Sequence, residues 1–196
     1  MQNQPKFKYE FVALMASLMS IVALSIDALL PALPDIGGYF GVFDLSERQL
    51  LITMIFLGIG AGQLIFGPLS DSFGRKPMVY FGFLVFIVSS IICVTTKNFE
   101  VMIAARVFQG IGLSSPRTMA IAMTRDSYSG DFMAKIISII VMFFILVPIV
   151  APTFGQFLLN NFGWKSIFNA NLIIGSLIII WFWLRQPETL SDNNRI

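Results

Sequence analysis

Apolar residues fill six separate stretches of the chain, residues 11–33, 50–69, 78–95, 101–123, 136–159 and 167–184, with short polar connections between them. Each is near the ~20 residues that a helix rising about 1.5 Å per residue needs to cross a hydrocarbon core about 30 Å thick. The pattern predicts an all-α membrane protein with six transmembrane helices. The second, third, fifth and sixth stretches hold no charge, the first holds only Asp27, and the fourth holds Arg106 and Arg117. Lys6 and Lys8 precede the first stretch as basic residues precede the core of a signal peptide. That stretch is too long for such a core and further spans follow, so it reads as the first membrane helix. The organisation expected is a tail at 1–10, a bundle at 11–185 and a second tail at 186–196.

Composition agrees with lipid as the solvent. The chain is 56% hydrophobic and 12% charged, where a soluble domain carries about a quarter charged residues. A net charge of +2 gives no strong pull towards nucleic acid. With no His and one Cys, a histidine relay and an internal disulfide are excluded and a metal site is unsupported. Cys93 lies in an apolar run and reads as a small packing residue. No nucleophile–base pair and no sizeable soluble region support an enzyme, and no pore-loop pattern supports a channel.

Basic residues set the orientation. With the N-terminus inside, the inner segments carry Lys6, Lys8, Arg75, Lys76, Arg125, Lys135, Arg185 and Arg195, and the outer loops only Arg48, Lys97 and Lys165. Both termini are therefore expected on the cytoplasmic side of the inner (plasma) membrane. A faint repeat accompanies this. Gly62-Gln63 precedes Phe73-Gly74-Arg75-Lys76, and Gly155-Gln156 precedes Phe162-Gly163-Trp164-Lys165, about ninety residues later. An offset of three helices places one turn inside and the other outside, as an inverted three-plus-three repeat requires.

Asp27 is the one carboxylate well inside a predicted span. An ionised carboxylate in hydrocarbon is costly, so it must pair, face a cavity or take up a proton. Arg106 lies at similar depth in the fourth helix, where an ion pair with Asp27, or competition with a proton for it, is expected to be in reach. Arg117 follows eleven residues later, close to three turns, so Arg106, Gln109, Gly110, Leu113 and Arg117 form one stripe suited to a water-filled cavity. Arg117 is also near enough to the membrane surface to snorkel. Gly58 and Gly62 give the second helix a small-xxx-small face for close packing. Pro148, Pro152 and Gly155 predict a bent fifth helix beside a cavity. The segment 67–77, Gly-Pro-Leu-Ser-Asp-Ser-Phe-Gly-Arg-Lys-Pro, packs a carboxylate, two cations and a glycine suited to positive φ into one tight turn.

That turn resembles the loop signature of the major facilitator superfamily, matching at Gly67, Leu69, Asp71, Gly74, Arg75 and Lys76. The run from Asp27 to Pro34 resembles the end of helix one in Bcr/CflA-type, bicyclomycin-resistance-like drug:proton antiporters. Arg106-Val-Phe-Gln-Gly110 resembles the fourth-helix motif whose Arg is implicated in proton coupling. Ala151-Pro-Thr-Phe-Gly155 resembles the antiporter motif of helix five, from which Ala151 and Gln156 depart. Gly163-Trp164 and Pro187-Glu188-Thr189-Leu190 are similar to the same branch. The resemblance implies one half of the fold, two inverted three-helix repeats, and export of drug-like molecules in exchange for protons. It implies coupling and substrate roles for Asp27, Arg106, Gln109 and Arg117. A conformational latch at Gly67, Asp71, Gly74, Arg75 and Lys76 and an antiporter motif at Pro148, Pro152 and Gly155 are implied with them. No cofactor is expected, since the proton gradient supplies the energy. Family members have twelve spans, so a second six-helix half or a second copy is an expected partner, beside lipid, protons and a small-molecule substrate. A non-transporting remnant and one subunit of a split transporter are the alternatives.

Overall fold

Proline marks where the first long helix stops. Pro31 has no N–H to return to the carbonyl of Asp27, so the hydrogen-bond ladder is interrupted there. In the computed structural model, which describes residues 9–190, α1 accordingly runs Tyr9–Asp27 and is followed by a short 3-10 turn, Leu30–Ala32. Then come α2 (Leu33–Phe40), α3 (Leu45–Phe73), α4 (Arg75–Thr95), α5 (Phe99–Ser127), α6 (Gly130–Phe162) and α7 (Lys165–Arg185). Lys6, Lys8 and Arg195, which enter the charge asymmetry, lie outside the described residues, as does most of each expected tail. The six apolar stretches each become a long helix, and the turn after α1 adds the short α2. Capping sets several ends: the Asp44 carboxylate accepts from the N–H of Ser46 at 2.8 Å, and Asn98 accepts from that of Glu100 at 2.8 Å.

Among the described residues, five helical segments are long and apolar enough to cross a membrane: Tyr9–Phe40, Leu45–Phe73, Arg75–Thr95, Gly130–Phe162 and Lys165–Arg185. The sixth expected span, α5, has the length at 29 residues but not the composition. Its polar residues are instead covered by protein: Arg106, Gln109, Ser114, Ser115 and Thr124 are all fully buried.

The helices pack in an exchangeable pattern. α3 contacts α5 as α6 contacts α1, α4 contacts α5 as α7 contacts α1, and α3 contacts α4 as α6 contacts α7. Swapping α1, α3 and α4 for α5, α6 and α7 therefore maps each pairing onto another. The two glycines of the faint repeat occupy matching places. A Cβ at Gly62 would overlap the Ser114 side chain of α5, and one at Gly155 would overlap the carbonyl oxygen of Ala28, just after α1. Close approach needs glycine at both. The apolar core lies along α1, whose Leu14, Met15, Leu18, Ile21 and Val22 are buried among α5, α6 and α7.

Candidate functional site

Arg106 is the largest fully buried side chain of the fold. Its backbone comes close to α3 because a Cβ at Gly110 would overlap the carbonyl of Ile55, and one at Gly58 would overlap that of Val107. Only glycine at 58 and 110 lets the two backbones touch. Arg106 Nε then donates to the Leu51 carbonyl at 2.9 Å, and Nη1 donates to Gln109 Oε1 at 2.6 Å and the Ser25 carbonyl at 3.5 Å. Gln109 Nε2 donates to Ser90 Oγ at 2.7 Å, and the guanidinium lies over the Phe168 ring, 5.8 Å from its centroid. Neutral acceptors and a π-face thus hold the charge, and no carboxylate bonds it among the described residues.

This corrects two expectations. Asp27 and Arg106 do not pair: the described ion pairs are Arg75 with Asp71 and with Asp126, and Arg185 with Glu10. Nor does the stripe from Arg106 to Leu113 face a cavity, since Arg106, Gln109, Gly110 and Leu113 are buried against neighbouring helices. Packing on three sides of α5 wins over the simple polarity of its stripe. Arg117, one face with them, is half-buried and stands over Phe144 of α6, 5.6 Å from the ring centroid.

Asp27 is half-buried and makes no hydrogen bond or ion pair among the described residues. It ends a stripe. Along α1, which is otherwise buried beyond Phe11, Ala13, Ser17, Ser20, Leu24 and Asp27 stay partly open, at alternating spacings of four and three. Tyr9 to Leu24 line a groove of about 1170 Å³ whose other wall is α6, with Met142, Phe143, Leu146, Val150 and Phe154. Tyr9, Ser17 and Ser20 carry its few polar side-chain groups on α1, and the Ser17 hydroxyl donates back to the Ala13 carbonyl at 2.8 Å. The geometry offers an apolar trough with one carboxylate just past its end. α6 runs as one helix through Pro148 and Pro152. Pro148 is exposed, Pro152 is half-buried, and Gly155 touches the backbone that follows Asp27.

The turn from α3 to α4 is a second site at the other end of the fold. Gly74 takes φ 97°, a value that disfavours any side chain. Arg75 Nη1 donates to Asp71 Oδ1 and to Ser70 Oγ, both at 2.6 Å, while Nε donates to Asp126 Oδ2 at 3.0 Å. Lys76 Nζ donates to the Trp183 carbonyl at 3.4 Å, and Gly67 is half-buried with open space where a Cβ would point. Asp126 and Glu188 are partners that the sequence did not assign to this turn. Glu188 Oε1 accepts from the Arg75 N–H at 3.1 Å and Oε2 from that of Lys76 at 2.9 Å, so a carboxylate 113 residues away caps α4. It also accepts from the N–H groups of Thr189 and Leu190. Thr189 Oγ1 donates to Asp126 at 3.2 Å, closing the ring.

Burial pushes the Glu188 carboxyl up, but the backbone N–H groups of Leu190, Lys76, Thr189 and Arg75 outweigh it and hold it below the usual carboxylate value. A group depressed in the folded state stabilises above its unfolded pKa and loses that contribution as pH falls through the folded value. Glu188→Ala is expected to cost about 1 kcal/mol, the scale of a lost helix cap. The difference from the unaltered protein should shrink as unfolding is measured at progressively lower pH. A difference that is constant from neutral to strongly acid pH would contradict this role.

Comparison with known proteins gives one consistent picture. The family model described as Major Facilitator Superfamily matches residues 15–195. The chain is 31% identical over 194 residues to a bicyclomycin resistance protein homolog of Haemophilus influenzae, covering 99% of this chain and 48% of that one. It is 34% identical over 182 residues to a chloramphenicol resistance protein of Pseudomonas aeruginosa, covering 91% and 42%. The chain thus spans about half the length of the curated relatives it matches. Among solved structures, it is similar in fold to the human organic anion transporter MFSD10 (TETRAN). The TM-score is 0.73 at 19% identity, over 95% of this chain and 49% of that one.

Proposed function

The chain belongs to the major facilitator superfamily of multi-pass membrane transporters, and from that premise we propose that it works as the first half of a drug:proton antiporter, crossing the inner membrane six times. The observation that carries the reading is Asp27, half-buried and unpaired at the end of the open α1 stripe, above an apolar groove of about 1170 Å³. A carboxylate there is free to exchange a proton, and the groove takes the apolar body of a small molecule. Arg106 ties α5 to α3 and α1 and Gln109 ties it to α4, and Arg117 lies further along the same face of α5. α5 is the sixth span, tolerated in lipid because protein covers Arg106, Gln109, Ser114 and Ser115.

The positive-inside asymmetry puts both ends on the cytoplasmic side. The ring of Asp71, Arg75, Asp126 and Glu188 then acts on that side as a latch that opens and closes with transport. Relatives named for bicyclomycin and chloramphenicol resistance indicate antibiotic-like substrates. Exposed apolar faces on α3 (Phe56, Leu57, Leu64) and α6 (Ile145, Ile149, Val150) fit a second six-helix bundle as partner. The proton gradient supplies the energy, with no cofactor.

The test is chloramphenicol accumulation in efflux-deficient cells expressing the chain together with the second half of such a relative. Accumulation is expected to fall severalfold and to recover when a protonophore collapses the gradient. Unchanged accumulation, with both halves shown to be inserted and associated, would contradict the proposal.

A further inference from the structure

Three fully buried polar atoms at the junction of α1, α5 and α7 lack a hydrogen-bond partner among the described residues: Ser25 Oγ, Arg106 Nη2 and Asn171 Oδ1. They belong together. Arg106 reaches the backbone of Ser25 itself, and its guanidinium lies over Phe168. Asn171 is one turn from Phe168 on the same buried face of α7, and Gly175, one turn further on, packs against Phe86, one turn before Ser90 on α4. Leaving a buried polar group unpaired costs about 1–3 kcal/mol, and more for a charged one. Three in one place, one of them on a guanidinium without a carboxylate partner, demand an occupant.

The unpaired set specifies its chemistry. Arg106 Nη2 is a donor, Asn171 Oδ1 is an acceptor, and the Ser25 hydroxyl takes either part. A metal cation would be repelled by Arg106. A halide accepts but does not donate, so it would leave the Asn171 carbonyl unpaired. Water does both, and three polar partners are the usual number for a buried water.

We propose that Ser25, Arg106 and Asn171 form a buried hydration site, in which water bridges α1, α5 and α7 and keeps Arg106 solvated without a counter-ion. The site is separate from the groove and from the α3–α4 turn. It is also independent of which substrate the transporter carries.

Two measurements on the full chain in nanodiscs test it. In radiolytic footprinting, hydroxyl radicals formed on bound water label the side chains that line it. Phe168, at 1% exposure, and Cys93, at 0% and one turn from Ser90, are expected to be labelled, while the equally buried Met15 and Phe66 are not. Asn171→Leu, which keeps the branched shape of the side chain and loses its amide, should reduce labelling of Phe168 and Cys93 severalfold and lower the unfolding temperature by several degrees. A dry site predicts the opposite sign, because removing an unpaired buried amide stabilises. Absent labelling of Phe168 and Cys93 in the unaltered protein, or a raised unfolding temperature in Asn171→Leu, would overturn the proposal. An unfolding temperature that rises with chloride against gluconate at fixed ionic strength would replace water by an anion and overturn it too.

Discussion

Asp27→Asn is expected to leave the bundle inserted and folded while abolishing the dependence of drug export on the proton gradient. The side chain is half-buried at the end of α1 and contributes no described hydrogen bond or ion pair. Replacing its carboxylate with an amide therefore removes little structure. It does remove the titratable group. One pH unit is worth about 1.4 kcal/mol per proton, or a tenfold substrate ratio for one-for-one exchange. In proteoliposomes holding both halves, a one-unit gradient should support up to about that tenfold ratio with the carboxylate and a ratio near one with the amide. Retained gradient dependence in the Asp27→Asn protein would remove Asp27 from the coupling role.

Gly110→Val is expected to be the most damaging single change to the fold. At this point α5 lies against α3 backbone to backbone: a Cβ on Gly110 meets the Ile55 carbonyl and the Cα of Gly58. Neither is a flexible side chain that could step aside. Overpacking typically costs 1–3 kcal/mol where side chains can shift, so a rigid backbone contact should cost ~3 kcal/mol or more. Separation of the two helices would also pull Arg106 away from the Leu51 carbonyl and expose its charge. The folded fraction recovered from membranes, read by size-exclusion profile and unfolding midpoint, should drop sharply. Gly67→Ala, where a Cβ meets open space, is the control expected to be near neutral. A Gly110→Val protein as stable as that control would refute the packing account.

The helices were legible because crossing a bilayer imposes a length and a polarity that show directly in the chain. Arg106 and Arg117 of α5 were legible as anomalies for the same reason. What surrounds them was not. Whether Arg106 faces water, Asp27 or protein depends on which helices cover α5, and that rests on contacts between residues such as Gly58 and Gly110, far apart in sequence. The stripe from Arg106 to Arg117 has the spacing of a helix face, but spacing alone does not tell a wet face from a packed one. The turn at Asp71 to Lys76 stood out by its order of residues, whereas its outside partners did not. Asp126 looks like any acid at a helix end, and Glu188 caps α4 from 113 residues away. The open stripe of α1 was hidden because Ala13, Ser17, Ser20 and Leu24 look like any membrane-helix residues until their neighbours are placed.

The most direct test of the account is the path of α5, the polar helix proposed to cross the bilayer under the shielding of its neighbours. Lys97 and Ser129, at its two ends, are both exposed. With Cys93 replaced by Ser, single cysteines at 97 and 129 can be challenged in intact cells with a membrane-impermeant thiol reagent. Lys97→Cys should react at once, and Ser129→Cys only after the membrane is opened. Reaction of both from the same side would mean that α5 does not cross, and the six-helix half-transporter would be contradicted.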